Sequence, residues 1–103
     1  MDISSVPGTD LYIDETVTNQ DGTVRDITGA SGVIRVATGP NGSAIVSEPA
    51  VLTDPTNGQL TYHLPAADTA AYVGEFHVFF FELVLTESDG TVSRLEGGKL
   101  TLQ

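Results

Sequence analysis

The sequence contains no cysteine. Disulfides, thiolate metal sites and thiol nucleophiles are therefore excluded at once. No run of 18 apolar residues occurs, so no membrane-crossing helix is expected. Residues 1–10 lack a basic stretch followed by an apolar one, so no secretory signal is expected. Positive charge is scarce. Lys and Arg total four, with Lys99 the single lysine, against 14 Asp and Glu, for a net charge of −10. Such a chain repels polyanions, so neither nucleic acid nor an anionic membrane surface is an expected partner. Two settings fit the imbalance. One is a plain acidic, soluble surface. The other is a high-salt, halophilic environment in which counterions screen the self-repulsion.

What remains is 103 residues, 40% of them hydrophobic, enough for one core. A folded chain of 10.8 kDa exposes roughly 5,500 Å² by area scaling. Beta-branched residues dominate, with 13 Thr, 11 Val and 5 Ile, as in strands. Turn signals punctuate them: Asp21-Gly22, Gly39-Pro40-Asn41-Gly42, Asp54-Pro55-Thr56-Asn57-Gly58, Asp89-Gly90 and Gly97-Gly98. The runs between them predict strands over 10–17, 23–27, 33–38, 44–47, 50–53, 59–64, 75–86, 91–95 and 99–102. One short helical turn is expected after Pro65. This is an all-β pattern, and it predicts an antiparallel β-sandwich of seven to nine strands. Residues 1–8 read as a flexible arm and 9–103 as the sandwich.

Alternation assigns faces. Leu11, Ile13 and Glu15 share one side of their strand and Tyr12 the other. Ile34 and Val36 oppose Val33 and Arg35, and Leu60, Tyr62 and Leu64 are expected in the core, opposite Thr61 and His63. The segment 75–86 resists a single phase. Starting inward at Phe76, Val78 and Phe80, the period brings Glu82 into the core, and burying an unpaired carboxylate costs several kcal/mol. A bulge at Phe81 or Glu82 would restore an inward set of Phe76, Val78, Phe80, Leu83 and Leu85. Phe79 then faces outward with Val84. Either a neighbouring loop covers Phe79 or it marks a subunit interface. The interface candidates are Phe79, Phe81, Val84 and Tyr12.

Catalytic and metal chemistry find little support. His63 and His77 are expected outward on their strands, without a third ligand at metal-binding spacing. No Gly-x-Ser-x-Gly elbow is present. Gly39-Pro40-Asn41-Gly42-Ser43 lacks the Lys and the helix of a phosphate-binding loop. Asp21, Asp54 and Asp89 lie in turns where calcium ligands often gather, yet no Asp-x-Asp-x-Asp-Gly loop occurs. Turn formation by Asp-Gly explains them. No catalytic residue, metal or cofactor is therefore expected.

The order of motifs carries more than any one of them. Asp21-Gly22-Thr23-Val24-Arg25-Asp26-Ile27-Thr28-Gly29-Ala30 precedes the strand at 33–37. Asp54-Pro55-Thr56-Asn57-Gly58-Gln59-Leu60-Thr61-Tyr62, a helical turn near Asp68-Thr69, Gly74-Glu75-Phe76-His77-Val78 and Ser88-Asp89-Gly90-Thr91-Val92 follow. From Leu11 to Leu102 this series resembles the immunoglobulin-like domain of tailed-phage virion proteins, typified by the N-terminal domain of baseplate upper proteins. Phe76 stands where that family usually carries Tyr, so a hydroxyl-bonded corner would come from Tyr72. The resemblance implies an immunoglobulin-like sandwich located in the virion, without catalytic residues. It implies a structural component (capsid decoration, connector or baseplate module) that binds other virion proteins as a multi-copy or homo-oligomeric part. The long segment 75–86 suggests a protruding hairpin that reaches a neighbour. An adhesion module recognising a host glycan or surface protein is the alternative.

Overall fold

The computed structural model describes residues 1–103 apart from Pro40, Asn41, Ser43 and Glu75. Part of the turn expected at 39–42 and the expected strand start at Glu75 lie outside the described residues. Eight strands are seen among the described residues: β1 (Ile3–Ser5), β2 (Leu11–Thr16), β3 (Ser31–Ala37), β4 (Ala44–Pro49), β5 (Val51–Asp54), β6 (Gln59–Leu64), β7 (His77–Thr86) and β8 (Val92–Leu102). The segment after Pro65 forms α1 (Ala66–Thr69) and a 3-10 turn (Ala70–Tyr72). Five strands make one sheet, in the order β1-β8-β7-β3-β4, and three make the other, β2-β6-β5. With β2, β6 and β5 read as strands B, E and D, and β8, β7, β3 and β4 as G, F, C and C′, this is the immunoglobulin-type sandwich. The folded surface is 5787 Å², close to the area expected from mass.

Alternating apolar residues build the core between the sheets. Leu60, Tyr62 and Leu64 from β6 are buried, as their period predicts, and meet Ile34 and Val36 from β3. The Tyr62 side chain reaches across the sandwich and donates its hydroxyl proton to the Val84 carbonyl at 2.9 Å. Burial and, secondarily, the Glu15 carboxylate push the Tyr62 phenol up to about 12.

β7 corrects the expected phase. Phe79, Phe81, Leu83 and Leu85 point into the core, with exposures of 5% or less. Val78, Phe80, Glu82 and Val84 take the outer face, and pairing with β3 runs unbroken from Phe80 to Thr86. No bulge falls at Phe81 or Glu82. The expectation failed because it was anchored on Phe76, which precedes the strand and is 66% exposed. Anchoring on Leu83 and Leu85 gives an inward set free of any carboxylate. Phe79 and Phe81 are thus core residues, not surface candidates. β7 is also central rather than protruding, since it is hydrogen-bonded to β8 on one side and β3 on the other. His77, expected outward, opposes the buried Leu102 and packs against Tyr72 and Phe79.

Three further expectations change. The first eight residues are not a loose arm: β1 runs parallel to β8, with Ile3 opposite Leu100, and Pro7 is buried. Residues 23–27 make one isolated bridge, Thr18 to Val24, in place of a strand. Their backbone amides bond instead to loops, Arg25 to Val17 and Ile27 to Pro55. Gly97-Gly98 is no turn either. β8 continues straight through it, because the two missing side chains leave seats for other groups. A Cβ on Gly97 would overlap the Arg94 guanidinium, and one on Gly98 would overlap the Met1 carbonyl.

Candidate docking face

The outer face of the five-stranded sheet takes its character from three strands. β3 contributes Val33, Arg35 and Ala37, which lie opposite the inward Ile34 and Val36. β7 contributes Val78, Phe80, Glu82 and Val84. β8 contributes Lys99 opposite Phe80, Gly97 opposite Glu82 and Arg94 opposite Val84. Between Arg94 and Glu96 the β7–β8 register slips by one residue, so Leu95 is extra. A bulge of this kind re-aims the side chains beyond it. Here it puts Arg94 on the same side as Glu82 and Gly97.

Three of the chain's four cations, Arg35, Arg94 and Lys99, therefore share one sheet face in a molecule of net charge −10. Glu82 stands between the two arginines, with Oε1 at 3.6 Å from Arg35 and Oε2 at 3.8 Å from Arg94. A groove of about 340 Å³ opens there, lined by Arg35, Ala37, Ala44, Phe80, Glu82 and Arg94 among others. Phe80 is half-buried, Val78 is 41% exposed, and Val84 and Val33 are half-buried beside them.

The opposite face, on β2 and β6, is polar. Tyr12 is exposed and stacks on His63 with ring centroids 4.4 Å apart. Asp10 Oδ1 lies 3.0 Å from His63 Nε2 and accepts the Ala66 amide. The His63 contact first, and the Ala66 amide second, hold the Asp10 carboxyl below its usual range. Asp14 accepts the Thr61 hydroxyl proton at 2.7 Å. Tyr12 and Val84 thus lie on different sheets, and the four interface candidates do not form one patch. His63 and His77 also belong to different sheets. The turn aspartates are occupied by their own loops. Asp21 accepts from Thr23, Asp26 from Thr28 and Asp89 from Thr91, and in each case those hydrogen bonds lower the carboxyl pKa. Asp54 bonds Thr56 and Asn57. Among the described residues no group of three His, Cys, Asp or Glu is placed to hold a metal ion.

Two carboxyl pairs sit at the rims of the sandwich. Glu15 faces the core side of β2; burial, then the nearby Glu96, raises its pKa. Glu48 is raised by desolvation and by Asp68 on α1, whose Oδ2 is buried.

Arg35 was legible as an outward residue from alternation in β3. Phe80, Arg94 and Lys99 were not assigned to the site. The scarcity of cations was the available signal, because finding where the few positive charges gather singles out this face.

Fold and surface define the class: an immunoglobulin-type β-sandwich whose most distinctive chemistry lies on an open sheet face. The family model of the BppU N-terminal domain matches residues 13–96, and the chain belongs to that family. The family is a structural domain of phage baseplates, not known for catalysis, so the chain is a structural virion component that interacts with other virion proteins. No curated protein matches the chain.

Proposed function

We propose that the domain holds its place in the baseplate by laying the outer face of its five-stranded sheet against a neighbouring virion protein, in several copies per particle. Of the positions weighed from sequence, the family supports the baseplate over capsid decoration or a connector. One observation carries the choice of surface: Phe80, Val78, Val84 and Val33 lie exposed or half-buried together with three of the four cations. An apolar patch rimmed by charge is the usual composition of a contact surface. Repetition around a symmetric tail multiplies a contact that is weak in one copy.

The test pairs folding with assembly. Val78→Asp is expected to melt close to the parent and to reduce the copy number in purified particles, measured by quantitative mass spectrometry. Normal incorporation of a folded Val78→Asp overturns the docking reading. A second reading, a host-recognition module, draws on the Tyr12–His63 stack, because an exposed ring flanked by Asp10 and Asp14 suits a sugar. Tyr12 resonance shifts on adding monosaccharides would favour it.

A further inference from the structure

Building on that docking reading, we propose that the groove between Arg35 and Arg94 receives a carboxylate-bearing segment of the neighbouring virion protein. The protein supplies its own comparison. Arg25 and Glu87 form a closed pair, Nε to Oε1 at 2.6 Å and Nη2 to Oε2 at 2.7 Å. Among the described residues, Arg35 and Arg94 have only Glu82 between them, one oxygen each, at 3.6 and 3.8 Å. Neither distance reaches the 2.7–3.2 Å or so of an N–H···O hydrogen bond. Each guanidinium carries five N–H donors in a planar fork, and a second carboxylate fits that fork two bonds at a time. Both arginine side chains are more than half exposed, at 51% and 61%. Arg94 is further seated against the Gly97 backbone, which limits its freedom before binding.

Charge decides the occupant's chemistry. Among the described residues, two guanidinium groups, Lys99 and the Met1 ammonium beside Gly97 outnumber the Glu82 carboxylate and the Asp2 carboxylate at the Lys99 amide, so this face is locally positive while the rest of the chain is strongly acidic. A long polyanion feels the net charge and is repelled. A short acidic stretch feels mainly the groups within a Debye length, about 8 Å at physiological salt. Phe80, Ala37 and Ala44 give the groove an apolar lining for the stem of a glutamate or a flanking side chain.

Lys99, the single lysine, provides the probe, since it stands on the same face opposite Phe80. Zero-length carbodiimide coupling in purified particles joins an amine to a carboxylate in contact with it. The expected product links Lys99 to an Asp or Glu of a different virion protein. In Arg35→Gln/Arg94→Gln that product is lost, and incorporation falls about tenfold or more, since charge-assisted bonds are the strong ones. A thermal melt of the isolated double variant confirms that it is folded, and Arg35→Lys/Arg94→Lys, which keeps the charge and loses the fork, is expected to recover only part of the incorporation. A Lys99 link to another copy of this chain overturns the proposal in favour of self-docking. Absence of any Lys99 link, or its persistence in the Gln variant, also overturns it. If Val78→Asp loses incorporation and the Gln variant does not, the docking reading stands and the carboxylate proposal falls. If both incorporate normally, the docking reading itself falls.

Discussion

Removing one oxygen from the core tests how the two sheets are held together. In Tyr62→Phe the ring stays and the hydroxyl that bonds the Val84 carbonyl at 2.9 Å is gone. Tyr62 is fully buried, so water cannot readily take the place of the hydroxyl. A buried acceptor left without its partner costs about 1–3 kcal/mol. Desolvating the hydroxyl itself offsets part of this, leaving a net loss of about 1–2 kcal/mol. For a domain near 100 residues that lowers Tm by roughly 5–15 °C. Urea unfolding followed by circular dichroism measures the free energy directly. A second substitution probes the same point. A Cβ at Gly32 would stand 2.9 Å from Ala50 Cβ, 3.0 Å from Leu60 Cδ1 and 3.1 Å from the Tyr62 hydroxyl. Gly32→Ala is therefore destabilising, and less so once the hydroxyl is absent. The double-mutant cycle should show a coupling of about 0.5 kcal/mol or more between the two sites. Alkaline titration at 295 nm adds an independent check. A tyrosine ionising near the value of about 12 is expected in the parent and absent in Tyr62→Phe. Because folding raises this pKa, its stabilisation is complete below the unfolded value near 10 and is lost as pH climbs toward 12. A Tyr62→Phe variant within about 0.3 kcal/mol of the parent, with no coupling to Gly32→Ala, would refute the argument.

Other substitutions and conditions give equally definite expectations. Phe79→Ser removes a core ring packed 5.0 Å from Tyr72 and should cost about 3–5 kcal/mol, which thermal melting will read as near-complete loss of the folded state; a parent-like melt would return Phe79 to the surface. Gly58→Ala should destabilise more than Gly90→Val when the two are melted side by side. Both glycines have positive φ, +71° and +90°, but a Cβ at Gly58 would also run into the backbone oxygens of Val17 and Arg25, whereas Gly90 has nothing within 4 Å. Tm should rise on mild acidification from pH 7 toward 5. Glu15 and Glu48 have raised pKa values, so their folding penalty is relieved as they take up protons. Below about pH 4 it should fall again, as Asp10, Asp21, Asp26 and Asp89, whose pKa values folding lowers, become protonated. Molar potassium chloride at pH 7 screens the same repulsion and should also raise Tm; a flat or falling profile would remove both the repulsion argument and the high-salt reading.

The strands whose two faces meet different surroundings were readable directly. In β6, Leu60, Tyr62 and Leu64 alternate with Gln59, Thr61 and His63, and period two left no choice. β3 behaved the same way around Ile34 and Val36. β7 misled because both its faces are apolar, so alternation supplies no contrast and the phase hangs on where the strand is taken to start. Residues 1–8 carry no apolar period of their own, and their order comes from the edge that β8 offers them. Residues 23–27 look like a strand in composition, but their amides find partners in the loops ending at Val17 and Pro55. The docking face was the hardest to foresee. It needs β3, β7 and β8 aligned in register, and that is a property of pairing between segments up to about 60 residues apart.

The extra residue at Leu95 has a consequence for how such a surface can change. It acts as a phase switch in β8. On one side of it the odd-numbered residues Gly97 and Lys99 face out; on the other, the even-numbered Arg94 does. Were β8 to pair regularly here, with no extra residue looped out, Leu95 would stand opposite Val84 and Arg94 opposite Leu85, bringing a guanidinium against the leucines of the core. Inserting one further along would reverse Lys99 instead. The chemistry of this face is therefore set as much by the count of residues in a strand as by their identity. A domain of this design can exchange one partner for another through a change of length, with no substitution at any contacting position.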